Sequence, residues 1–168
     1  MRRKVVAVVG NSVASEEAYA LARELGRALV DAGYRVVTGG MTGVMEAASR
    51  GAHESAAYSE GSVLGIIPSG DAEQANAYVD IVIPSGLGYS RNTLVVNTAD
   101  AVVAVAGGAG TLNELAMAWQ LDKPIVALEI EGWSQRLAGS RIDERQREEI
   151  LAAGDVGAVM RHLARVLG

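Results

Sequence analysis

The strongest constraint on this chain is a repeated alternation of short apolar runs with segments of helical spacing, joined by glycine-rich turns. Residues 5–9, 35–38, 63–67, 79–83, 101–106 and 125–130 read as strands. Most of these runs are apolar at consecutive positions, which suits strands covered on both faces. Between the first two, Ala18, Leu21, Ala22, Leu25 and Leu29 recur at helical spacing, with Glu17, Arg23, Glu24 and Arg27 on other faces. Ser15 or Ser12 is placed to cap that helix, and Gly33 to end it. Further helices are expected over 44–55, 90–98 and 112–121. A closing helix after Asp155 carries Val159, Leu163 and Leu167 on one face. Pro68 and Pro84 mark strand ends. Residues 69–78 form a polar loop, and the charge-dense stretch 141–149 an exposed helix or a mobile loop. Such alternation predicts an α/β fold: one doubly wound, mostly parallel sheet with helices on both faces. The 168 residues suit a single domain spanning 1–168.

Composition excludes several chemistries. There is no cysteine, so no disulfide, thiolate metal site or cysteine nucleophile is available. His53 and His162 have no metal-ligand spacing and read as structural or solvated, so no metal site is expected. The net charge of −5 gives no electrostatic reason for a nucleic-acid partner. No apolar stretch is long enough to cross a bilayer, and the short run after Met1 is no secretory signal, so a cytoplasmic location is expected. Lys4 and Lys123, the only lysines, each fall at the start of a strand and hence at the amino edge of the sheet. No lysine is therefore placed for a phosphate-loop role or a Schiff base.

In a doubly wound sheet, ligands bind beyond the carboxyl ends of the strands. The turn Gly107-Gly108-Ala109-Gly110-Thr111 falls there. Three of its residues lack a Cβ, and free amides at the start of the next helix would face an anion. Gly107, Gly108, Gly110 and Thr111 are thus candidate phosphate ligands; the plainer reading is a tight strand-to-helix turn. Gly39, Gly40 and Gly43 form a similar turn after the second strand. Gly10, Asn11 and Ser12 follow the first. Glu114 lies one turn into the helix after the main glycine turn, where it faces a ligand or merely complements the helix dipole. Arg91 opens a helix, a position where a cation is disfavoured unless an anion partners it. Otherwise it is a solvated surface arginine.

The runs Gly39-Gly40-Met41-Thr42-Gly43-Val44-Met45 and Ala106-Gly107-Gly108-Ala109-Gly110-Thr111-Leu112-Asn113-Glu114, with the segment around Arg91, resemble the Lonely-Guy superfamily, long mislabelled lysine decarboxylase. The resemblance implies a Rossmann-like nucleotide-binding domain. It implies a phosphoribohydrolase that cleaves the N-glycosidic bond of nucleoside 5′-monophosphates, with Glu114 as catalytic carboxylate, Arg91 as its partner and the glycine turn on the 5′-phosphate. Two positions depart from the hallmark: Ala106 stands where that family has proline, and Asn92, a further candidate ligand contact, where it has lysine. Gly86-Leu87-Gly88 with Arg91-Asn92 is similar to the branch of molybdenum-cofactor carrier proteins, which hold a phosphorylated pterin without converting it. The expected ligand is a nucleotide, phosphate or molybdopterin-type molecule, with no cofactor required for chemistry. A homodimer or homotetramer is also implied, with apolar residues in 94–96 and 116–119 available for an interface or for the core. The remaining alternative is an oligomeric scaffold whose glycine turns only shape the backbone.

Overall fold

The computed structural model describes residues 2–145 and 148–168. Its strands are β1 (Val5–Gly10), β2 (Arg35–Thr38), β3 (Val63–Ile67), β4 (Ile81–Pro84), β5 (Ala101–Val105), β6 (Ile125–Leu128) and β7 (Leu151–Ala153). They form one sheet in the order β4-β3-β2-β1-β5-β6-β7, and every neighbouring pair is parallel. The helices are α1 (Glu16–Asp31), α2 (Val44–His53), α3 (Asn92–Thr98), α4 (Ala109–Gln120), α5 (Trp133–Leu137) and α6 (Val156–Leu167).

Because side chains alternate along a strand, each central strand feeds two cores. Val6, Val8, Val103 and Val105 pack on one face against Leu25 and Leu29 of α1, Ala48 of α2 and Leu163 of α6. Ala7, Val9, Val102 and Ala104 pack on the other against Val95 and Val96 of α3 and Leu115 and Trp119 of α4. This is the doubly wound α/β fold that the alternation predicts. On the first face, α1 and α2 meet backbone to backbone: a Cβ on Gly26 would strike Ala48, and one on Gly51 would strike Arg23.

The chain proceeds outward from β1 through β4, then returns to the other side of β1 as β5. Strand order therefore reverses between β1 and β5, where Gly10 pairs with Val105 and the two following turns stand side by side.

Several boundaries move. Ser15, not Ser12, caps α1, accepting from the Ala18 amide at 3.1 Å. α4 begins at Ala109 rather than 112, because Gly108 is already extended and its carbonyl takes the Leu112 amide. Gly88–Arg91 is a 3-10 turn, so α3 starts only at Asn92. The strand expected over 79–83 is Ile81–Pro84, because Val79 is held in a turn by Asn76. β7 and α5 were not expected. Three residues, two of them alanine, carry almost no strand signal, and five cannot show helical periodicity. Of 141–149, Gln146 and Arg147 lie outside the described residues; the rest contains no helix, and Trp119 Nε1 donates to Asp143 at 2.7 Å. Val95, Val96, Ala118 and Trp119 are core residues and offer no interface, whereas Leu94 is exposed. Among the described residues, no helix is long and apolar enough to cross a membrane.

Candidate functional site

A cleft of about 470 Å3 opens at the carboxyl ends of β1 and β5, within the usual range for small-molecule sites. Of the sequence candidates, Gly10, Asn11, Ser12, Gly39, Arg91, Asn92, Gly108, Gly110, Thr111 and Glu114 line it. Gly40, Gly43 and Gly107 do not.

The mouth of α4 forms one wall. Gly108 is its N-cap and no side chain caps the helix, so the amides of the first turn are left to an outside acceptor. A Cβ on Gly110 would meet nothing within 4 Å, and one on Gly108 would meet only Asn11 Nδ2 at 4.0 Å. The protein's own packing does not require glycine at either position. What their small size preserves is access to the backbone. Gly107 differs. Its φ is +106°, the Thr111 side chain fills the place a Cβ would take, and its amide donates to Asn11 Oδ1 at 2.6 Å. It shapes the turn, and its N–H is already used by the protein. With Oδ1 committed to Gly107, the Asn11 amide nitrogen is left on the cleft side near Gly108.

The second glycine turn is no second cradle. The Val44 amide at the mouth of α2 donates to Asn11 O at 2.9 Å, and the Asn11 and Ser12 backbone fills the space beside Gly43. The first turn thus plugs the second helix. Gly10 and Gly40 allow similar close packing, against Val44 and Ile67. Gly39 does reach the cleft, but a Cβ there would stand 2.5 Å from Arg91 Nη2, so this glycine makes room for a cation.

Arg91 is only 9% exposed, which overturns the surface alternative. Its Nε donates to Ile66 O at 2.9 Å, Nη2 to Gly39 O at 3.4 Å, and Nη1 to Asn92 Oδ1. Asn92 in turn donates to Asn113 Oδ1 at 3.1 Å, tying the turn to α4. All these acceptors are neutral. Burial pulls the Arg91 pKa down and the nearby Glu114 opposes this, but a guanidinium stays charged.

Glu114 is also buried, and it makes no hydrogen bond or ion pair with any described residue. Burial pushes its carboxyl up to about 7, against the pull of Arg91. Two buried groups of opposite sign thus face one cleft without touching, and the carboxyl titrates near neutrality. Such a perturbed pair in a cleft is a recognised signature of a functional site.

Ala106 adopts φ +55°, in the left-handed region. Proline, fixed near −65°, cannot adopt this conformation. Sequence reasoning missed the apolar wall: Met41, Met45, Pro68, Tyr89 and Val13 also line the cleft. An isolated tyrosine in the glycine- and serine-rich stretch 85–90 was the signal available. His53 lies 3.1 Å from Asp80 and against Tyr58, and His162 Nε2 lies 3.0 Å from Ala152 O, both away from the cleft.

A parallel sheet whose strand order reverses beside an open helix mouth defines a doubly wound, Rossmann-like fold. The family model described as the SLOG cluster4 family matches residues 3–160, and the chain belongs to that family. This bears out the Lonely-Guy resemblance, in the branch that includes the molybdenum-cofactor carriers. A probable cytokinin riboside 5′-monophosphate phosphoribohydrolase from Oryza sativa is 32% identical over 80% of this chain, which spans 57% of that relative's length. The solved structure of the molybdenum cofactor binding protein from Rippkaea orientalis matches with a TM-score of 0.88 and 30% identity, covering 100% of this chain and 99% of that one. The molybdenum cofactor carrier protein of Chlamydomonas reinhardtii matches with a TM-score of 0.82 and 27% identity, covering 98% and 99%.

Proposed function

We propose that the cleft takes a nucleoside 5′-monophosphate, with its phosphate on the mouth of α4, and hydrolyses the N-glycosidic bond. The observation that carries this reading is the buried Glu114 carboxyl, unpaired, facing Arg91 and titrating near 7. A base works best when its pKa lies near the operating pH. Ionised Glu114 accepts a proton from water as the water oxygen bonds to C1′ of the ribose and the C1′–N bond breaks. The leaving nitrogen takes the proton that Glu114 received from the water, giving free base and ribose 5-phosphate and returning Glu114 to its ionised form. The amides of Ala109, Gly110 and Thr111 anchor the phosphate, and the Asn11 amide nitrogen adds a donor. Arg91 holds part of the Glu114 population ionised at neutral pH. The name of the Oryza sativa relative supports the same reaction class.

A second reading has its own support. The matches to the molybdenum-cofactor proteins run the full length of both chains, and Asn92 is uncharged where the hydrolases carry lysine. On this reading the cleft holds a phosphorylated pterin and does not convert it. Neither reading calls for a resident metal. Incubation with a panel of purine and pyrimidine nucleoside monophosphates, followed by chromatography, separates the two. Release of free base with ribose 5-phosphate supports the hydrolase. Saturable binding of molybdopterin with no base released from any nucleotide overturns it in favour of the carrier.

A further inference from the structure

The phosphate end of the cleft says nothing about the rest of the ligand, but the apolar wall does. Tyr89 is 91% exposed, the most exposed large apolar side chain among the described residues, yet it lines the same cleft as Arg91 and Glu114. No described ring or cation packs on it. Its bareness does not come from a loose backbone. The Gly88 amide donates to Pro68 O at 3.0 Å, the Leu87 amide to Ser85 Oγ at 3.2 Å and the Ser90 amide to Leu87 O at 3.2 Å. Two residues on, the Arg91 guanidinium is fixed to Ile66 and Gly39. The segment is therefore held in place while its one aromatic ring is left unpacked. Met41, Met45 and Pro68 line the cleft with it. Thioethers are polarisable apolar neighbours for a π system. Val13, 86% exposed, adds an apolar rim on the β1 side.

Resting on the phosphate reading of the α4 mouth, we propose that Tyr89 is the platform on which a planar heteroaromatic ring of the ligand stacks. The cleft then selects ring-bearing phosphates over bare sugar phosphates. A nucleobase and a pterin share this chemistry, because each presents a flat π face; an aliphatic phosphate does not. Stacking tolerates variation in ring identity, so Tyr89 sets the class of ligand and the polar groups around the ring set its identity.

The test is calorimetric titration of the wild type, Tyr89→Ala and Tyr89→Phe with AMP, GMP, molybdopterin and ribose 5-phosphate. The wild type is expected to bind at least one ring-bearing probe about tenfold or more tighter than ribose 5-phosphate, the scale of one base–aromatic stack. Tyr89→Ala should remove that advantage and leave ribose 5-phosphate within about twofold, while Tyr89→Phe retains it, since the hydroxyl plays no part. The nucleotide and pterin arms show which ring is preferred. Equal weakening of all probes by Tyr89→Ala, or no weakening of any, overturns the proposal and leaves the phosphate reading standing. So does a Tyr89→Ala protein with unchanged affinities but an altered oligomeric state on size exclusion, which assigns the residue to a subunit contact. Failure of the wild type to bind any probe overturns the phosphate reading as well.

Discussion

The two ends of the sheet treat charge in opposite ways. At the amino end, the charges around Asp100 are answered by the protein. Arg2 reaches both Asp100 oxygens at 2.6 and 2.8 Å, the Val5 amide donates to the same carboxylate at 2.8 Å, and Lys123 donates to Asn97 O at 2.9 Å and to Ala99 O. The Asp100 carboxyl is held below its ordinary range by Arg2. At the carboxyl end, among the described residues, Arg91 donates only to neutral acceptors, Glu114 makes no hydrogen bond or ion pair, and no side chain caps α4. One end is closed electrostatically and the other is left open. An open buried charge destabilises the fold, and the ligand proposed for the cleft would supply the partner that this end lacks.

The sharpest way to break this contrast is Glu114→Gln. Base release from nucleoside monophosphates should fall by about a hundredfold to ten-thousandfold, the usual worth of a general base, while titrated AMP affinity stays within about threefold. In the wild type, kcat should rise with pH through about 7, as the carboxyl ionises. A flat profile would remove Glu114 from the chemistry.

The same variant tests the energetics. Folded Glu114 titrates near 7, above its ordinary value of 4.5, so the folded protein binds this proton more tightly than the unfolded chain. Stability from this group is full below pH 4.5 and is lost as pH rises through 7. Urea unfolding across pH 4 to 8 should show Glu114→Gln gaining on the wild type with rising pH, by on the order of 3 kcal/mol at the top. Asp100→Asn at the closed end should behave differently. It should lose about 2 kcal/mol of stability at neutral pH, the worth of charge-assisted hydrogen bonds, without changing ligand affinity.

Smaller changes sharpen the picture. Asn11→Asp keeps the acceptor for the Gly107 amide but turns a carboxylate oxygen toward the α4 mouth. Phosphate-ligand affinity should fall about tenfold by like-charge repulsion, with little change in Tm; an unchanged affinity would move the phosphate elsewhere. Ala106→Gly relieves a left-handed alanine and should raise unfolding free energy by about 1 kcal/mol.

The fold was legible because burial on two faces writes consecutive apolar residues into strands such as 101–105, and glycine turns mark where they end. The position of the cleft was legible for the same reason. Less legible was which glycines are left open to the cleft. Gly43 and Gly110 look alike in sequence, yet one is filled by the Asn11–Ser12 backbone and the other faces open space. That difference depends on contacts between segments distant along the chain. Arg91 posed a similar difficulty: its burial depends on the missing side chain at Gly39, 52 residues away.

The contact between α1 and α2 has a consequence for descent. Gly26 and Gly51 leave no space for even a methyl group, so any descendant that keeps this helix pair must keep both. Nothing comparable protects Arg91 or Glu114, which can be lost while the scaffold survives. Lineages of this architecture should therefore be recognisable by the two buried glycines, and sorted by what has become of the two charges.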